Sequence, residues 1–175
     1  IADRYPELLY AYIAVSPLIA QYRSDSISLA MLKDKMGKKA RQELAQIHIP
    51  FQNAEQLYYH RKWLFKYDGQ KLVSLTLTKR FVDSWAATWF DVFSRSTDVD
   101  LFQTLPAIKC PVYFFAGAKD YHTNSSITTE YYSKVSAPKK DLFLFKEAGH
   151  ELPETHNAAF QDMIIRKILP QTFDQ

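Results

Sequence analysis

Two apolar runs in the second half of the chain each break on a glycine and end on an ionisable side chain. The first is Pro111-Val112-Tyr113-Phe114-Phe115-Ala116-Gly117-Ala118-Lys119-Asp120; the second is Leu142-Phe143-Leu144-Phe145-Lys146-Glu147-Ala148-Gly149-His150. A third run, Leu8-Leu9-Tyr10-Ala11-Tyr12-Ile13-Ala14-Val15, is closed by Ser16-Pro17. Runs this short and this continuous suit parallel strands covered on both faces. Helical spacing fills the stretches between them, and strands alternating with helices imply a parallel sheet. The fold class is therefore α/β, with three parallel strands expected near residues 8–15, 112–116 and 142–145. Asp120 and His150 then fall just past strand ends, on the rim where open α/β sheets collect their chemistry.

An Asp followed by a His, in that order and at those places, is the second half of a Ser…Asp…His arrangement. Its first half needs a serine between two glycines four apart, on a sharp strand-to-helix turn. The chain has four glycines, Gly37, Gly69, Gly117 and Gly149, and no two are that close. The usual oxyanion donor, the backbone N–H after the nucleophile, goes with that turn. The chain opens at Ile1 with no initiator Met and no recognisable signal peptide. The expectation is a C-terminal piece of a larger enzyme.

From about Leu18 to Pro106 the pattern is helical. Asn53 precedes Ala54, Leu57, Tyr58, Leu64 and Phe65, with Gln56 at capping-box spacing and Gly69 as the expected stop. A later helix presents Val82, Trp85, Trp89 and Phe93 at spacings of three and four. After Pro106, helices are expected over about 125–135 and 155–169, ended by Pro138 and Pro170. Residues 1–16 and 107–175 thus read as sheet-bearing core, and 17–106 as an inserted helical cap. Three strands leave one sheet edge bare unless another chain covers it.

Aromatic residues reach 15 %, consistent with a helix-rich, aromatic-lined chain. The net charge of +3 is too small to argue for nucleic acid, and Lys33, Lys35, Lys38, Lys39 and Arg41 read as a solvated helix face. No apolar stretch approaches the ~18 residues of a membrane span. Cys110 is alone, so it forms no intrachain disulfide, and its place at the head of a strand suggests a buried spectator. Asn124-Ser125-Ser126 is a formal glycosylation sequon of little weight. His150-Glu151-Leu152-Pro153-Glu154-Thr155-His156 fails zincin spacing, because the second His falls at the sixth position and Pro153 interrupts the turn. Neither metal nor cofactor is implied.

Several of these residues carry a resemblance. Arg4-Tyr5-Pro6-Glu7, Leu105-Pro106-Ala107-Ile108-Lys109-Cys110-Pro111-Val112, Gly117-Ala118-Lys119-Asp120 and Gly149-His150 resemble, in order, the C-terminal half of an α/β-hydrolase. The phrasing is most similar to the capped branch that includes proline iminopeptidases. The resemblance implies a serine hydrolase of amide or ester bonds, aminopeptidase-like, acting on a small molecule or short peptide. Asp120 would then orient His150, and His150 would take the serine proton and return it to the leaving group. Cap aromatics Tyr58, Trp63, Trp85 and Trp89, with Tyr121 beside the acid, would line an apolar substrate cavity. Two other readings stay open. An epoxide hydrolase or dehalogenase keeps the Asp and His with an aspartate nucleophile, and Tyr58, Tyr59 and Tyr67 are available to it. A truncated hydrolase can also persist as a non-catalytic binding module. The expected partner is the N-terminal half of the enzyme, or a second copy across the bare edge.

Overall fold

The computed structural model describes residues 1–68 and 77–172. In chain order the elements are β1 (Tyr12–Val15), α1 (Gln21–Lys35), α2 (Lys38–Leu44), α3 (Ala54–Tyr67), α4 (Lys79–Thr97), α5 (Leu101–Thr104), β2 (Val112–Gly117), α6 (Ser125–Lys134), β3 (Lys140–Phe145), α7 (Leu152–Thr155) and α8 (Asn157–Met163). A π turn over Ile164–Ile168 and a 3-10 turn over Leu169–Thr172 continue α8. The chain divides into a sheet unit, Ile1–Ile19 with Asp100–Gln175, and a helical unit, Ala20–Val99.

In the sheet unit the three strands are parallel in the order β1-β2-β3, with Ala14, Phe114 and Leu142 in register. All six residues of β2 are buried, as its unbroken apolar run requires. Phe114 faces α6, where it meets Tyr131 edge-on at 6.0 Å. On the opposite face Tyr113 and Phe115 pack with Phe143, Phe145, Phe160 and Ile168. Phe114 and Phe115, both fully buried, each contribute about 2–3 kcal/mol.

The first strand is shorter than its apolar run. Pro6–Leu8 form a 3-10 turn, and Leu8 and Tyr10 are left 71 % and 70 % exposed. Pairing starts only where the Tyr12 N–H reaches Pro111 O at 2.7 Å; the apolar character of residues 8–11 finds no strand to pair with upstream of Val112. The third strand starts earlier than expected, at Lys140, because the Val112 N–H reaches Lys139 O at 2.9 Å. Lys140 Nζ then donates to the carbonyls of Tyr132 and Val135 at the end of α6, at 2.6 and 2.7 Å, a favourable place for a cation. The single helix expected over 155–169 begins at Leu152, with Pro153 in its first turn, and breaks at His156.

The helical unit contains no strand among its described residues. Leu32, Leu44 and Leu64 are fully buried at its centre. Asn53 caps α3 by accepting the Gln56 N–H at 3.0 Å. The Gln56 side chain does not close the box; its oxygen accepts from Gln52 N at 3.1 Å and its amide donates to Gln46 O at 3.1 Å, pinning the preceding loop. The stop expected at Gly69 lies outside the described residues. On α4 the predicted apolar stripe is present, but only Val82 of it is buried and Trp89 is 53 % exposed.

Candidate active site

The end of β2 aims Asp120. After Gly117 the chain turns back, with the Asp120 N–H donating to Gly117 O at 3.0 Å. The carboxylate then accepts from its own downstream backbone, the usual habit of an Asp in a turn: Oδ1 takes the N–H groups of His122 and Thr123 at 2.9 and 3.0 Å. Oδ2 takes the Thr123 hydroxyl at 2.8 Å and His150 Nδ1 at 3.0 Å. Burial pushes the pKa of this 2 %-exposed carboxyl up, but the hydrogen bond and charge of the His150 ring, with the Thr123 donors, outweigh burial and hold it below its usual value. The group stays ionised.

Backbone contact places His150. A Cβ on Gly117 would lie 2.3 Å from Gly149 O and 2.4 Å from Ala148 O. Glycine is needed there for close approach of the histidine loop to the acid turn. The Ala118 N–H donates to Phe145 O and the Lys119 N–H to Ala148 O, each at 2.9 Å, and the Lys119 and Glu147 side chains pair outside them. Ser16, at the end of β1, donates its hydroxyl to His150 O at 3.1 Å while its N–H meets Phe115 O at 2.9 Å. Its φ of 42° lies in the left-handed region, disfavoured for a serine. All three strand ends therefore converge on one residue.

A carboxylate oxygen only accepts, so Nδ1 of His150 carries a proton, and in the neutral ring Nε2 presents a lone pair. The ring is 30 % exposed, and among the described residues nothing bonds to Nε2. The His122 ring stacks against it, centroids 4.4 Å apart and planes 31° from parallel. Tyr121, between the acid and His122, is half-buried. Thr123 and Ser16 are absent from the sequence-derived set. Thr123 had a signal, a hydroxyl three residues after a turn Asp; Ser16 reaches the site only through tertiary packing, whereas His122, like Tyr121, follows the acid directly on its turn.

The remaining sequence-derived residues lie in the helical unit. Trp63 is buried, and its Nε1 donates to Glu43 at 2.8 Å. Tyr58 is half-buried, edge-on to Tyr59 at 5.2 Å, with Lys62 Nζ above both rings. Trp85 is half-buried against Phe93 at 5.6 Å, and Trp89 is exposed. Asn124 lends its side-chain oxygen to Ser126 N at 3.1 Å as the cap of α6, which accounts for the sequon without a glycan. Cys110 is buried, and burial pushes its thiol up. A cavity of about 720 Å³ bordered by Leu8, Leu9, Tyr10 and Cys110 sits before β1 and β2, at the opposite strand ends from Asp120. Among the described residues no three His, Cys, Asp or Glu side chains are placed to hold a metal ion.

Neither a protein-family model nor a curated protein matches the chain. Among solved structures it is similar to MGS-M2, an α/β-hydrolase enzyme from a Medee basin deep-sea metagenome library. The two share 19 % identity at a TM-score of 0.52, over 99 % of this chain and 59 % of that one. It is also similar to an α/β fold family hydrolase from Bacillus anthracis str. Sterne, at 17 % identity and a TM-score of 0.50, over 94 % of this chain and 60 % of that one. The chain spans about three fifths of the length of these neighbours. The likeness establishes the fold: a partial α/β-hydrolase core of three parallel strands with flanking helices, and a helical insertion between β1 and β2.

Proposed function

We propose that Asp120 and His150 are the orienting acid and the general base of an enzyme that hydrolyses amide or ester bonds, with the serine nucleophile supplied by residues outside these 175. One observation carries the reading. A buried, ionised carboxylate holds one imidazole nitrogen at 3.0 Å while the other nitrogen stands open at the carboxyl ends of parallel strands. In that geometry Nε2 takes the serine proton as the nucleophile attacks, and the imidazolium forms beside a full negative charge. The same proton then goes to the leaving amine or alcohol. The chain contains no Gly-x-Ser-x-Gly, and among the described residues β1 pairs on one side only. Both features fit a core completed across the β1 edge by further strands, or by a second copy. The helical unit is proposed as the cap, with Tyr58, Trp85, Trp89 and Tyr121 as substrate contacts in an aminopeptidase-like, proline-iminopeptidase-related site. Trp63, whose Nε1 donates to Glu43, is proposed with them.

The test uses the longest natural form of the protein that contains these residues, with an activated ester and an aminoacyl amide as substrates. Asp120→Asn and His150→Ala are each expected to lower kcat by about 10³–10⁴-fold with KM little changed, as loss of an orienting acid or a base does. A loss below tenfold for either variant overturns the assignment.

A further inference from the structure

Asp120 holds His150 by a single ring atom. One Nδ1–H···O bond is a pivot, and the terminal torsion of a histidine is broad, so the plane of this 30 %-exposed ring needs a second support. Thr123 Oγ1, at 3.4 Å from Nδ1, lies at the same end of the ring and adds no lever. The His122 ring covers the face instead, at 4.4 Å and 31°. His122 is itself set by the same carboxylate: Oδ1 accepts its backbone N–H at 2.9 Å while Oδ2 accepts His150 Nδ1 at 3.0 Å. One aspartate thus registers two imidazoles against each other.

We infer that His122 is a positioning residue, whose stacked ring fixes the plane in which His150 presents Nε2. Its geometric part stands on the structure; its consequence for turnover rests on the assignment of His150 as the base. In that role the ring holds the lone pair on one line of attack. The order of residues on the turn makes this economical: the turn that buries the acid delivers a ring two residues later.

The experiment is ¹⁵N and ¹H NMR of histidine-labelled protein, reading the His150 Nδ1–H resonance and its exchange with water. Wild type is expected to give a protected Nδ1–H. His122→Ala and His122→Asn should speed its exchange by about tenfold, the upper end of what one aromatic pair contributes, and His122→Phe should restore protection by returning a ring. Asp120→Asn should abolish the resonance in every background. Unchanged exchange in His122→Ala, or no rescue by His122→Phe, overturns the inference and leaves the Asp120–His150 pair intact. Persistence of the resonance in Asp120→Asn sinks the pair itself.

Discussion

His150 in the sheet unit and His60 in the helical unit each keep company with an aspartate and a hydroxyl side chain, and the resemblance ends there. His60 is fully buried. Arg61 donates to its Nδ1 at 2.8 Å and to Asp25 Oδ1 at 2.7 Å, while Gln21 donates to the same Asp25 oxygen at 3.0 Å. Nε2 lies 3.1 Å from Ser28 Oγ. A guanidinium only donates, so Nδ1 of His60 accepts and Nε2 carries the proton. His60 therefore donates to Ser28, whose own hydroxyl passes on to Asp25 O at 3.2 Å. That polarity is the reverse of what activates a serine. His150 has one nitrogen engaged and one open; His60 has both engaged and is shut off from solvent. The same residue types leave an imidazole nitrogen open in one unit and make a core bracket in the other.

The largest test of this contrast removes a charge. Asp25 and Arg61 side chains are 2 % and 7 % exposed, so Arg61→Met strands a buried carboxylate and should cost about 3–5 kcal/mol. The double variant Asp25→Leu with Arg61→Met should recover most of that, because the uncompensated charge goes with its partner. His150→Ala should cost no more than ~1 kcal/mol, one hydrogen bond at a partly exposed site, since Asp120 keeps three other donors. Urea unfolding of the three variants reads this directly. Equal losses at Arg61 and His150 would erase the distinction between the buried bracket and the partly exposed pair.

A second test asks what holds the Asp120–His150 pair in place. Its support is close-packed backbone, whereas His60 is held by buried charge. Gly117→Ala puts a methyl 2.3–2.6 Å from the Ala148–Gly149 backbone, where no flexible side chain can yield. We expect a loss of about 1–3 kcal/mol from overpacking, together with loss of the His150 Nδ1–H resonance as the loop lifts from the acid. Gly37→Ala, at a glycine with nothing within 4 Å, should stay within ~0.5 kcal/mol. A Gly117→Ala protein that keeps the resonance would show that the side chains alone carry the geometry.

The contrast also separates what the chain reveals in one dimension from what it does not. Asp120 and His150 were legible because strand, glycine and ionisable residue follow one another locally, so that burial of β2 and its pairing with the half-buried β3 fix where each side chain emerges. The parallel sheet was legible for the same reason: Val112 to Phe115 is apolar throughout and buried throughout. The His60 cluster left no such trace. Asp25 is 36 residues from Arg61 and Ser28 is 32 from His60, and only the packing of α1 against α3 brings them together. Helical periodicity marks which face is inward and is blind to polar residues buried there in compensated sets. The overlong first strand fails on a related ground, because an apolar run tells what wants covering and not whether a neighbour is there to pair with it.

The smallest effect is the most selective, because it separates the two units by pH. Burial, and then the Arg61 charge, push His60 well below its ordinary value of 6.5. Above pH 6.5 the ring is neutral both folded and unfolded, and its contribution to stability is complete. As pH falls below 6.5 the unfolded chain binds a proton that the folded helical unit refuses, so stability declines by about 1 kcal/mol per pH unit. Asp120 behaves differently: its folded value is depressed below 3.8, so its contribution is intact above that pH and is lost only beneath it. Between pH 6.5 and 4.5 the helical unit should therefore soften through His60 while Asp120 leaves the sheet unit unaffected. All three tryptophans, Trp63, Trp85 and Trp89, lie in the helical unit, so tryptophan fluorescence reports its melting, and exchange protection of the β2 amides reports the sheet. The fluorescence midpoint should drop on acidification and lose that dependence in His60→Gln, where no imidazole titrates. A midpoint indifferent to pH across this window would mean that His60 admits the proton in place, and that the bracket in the helical unit is as open to chemistry as the pair at the sheet edge.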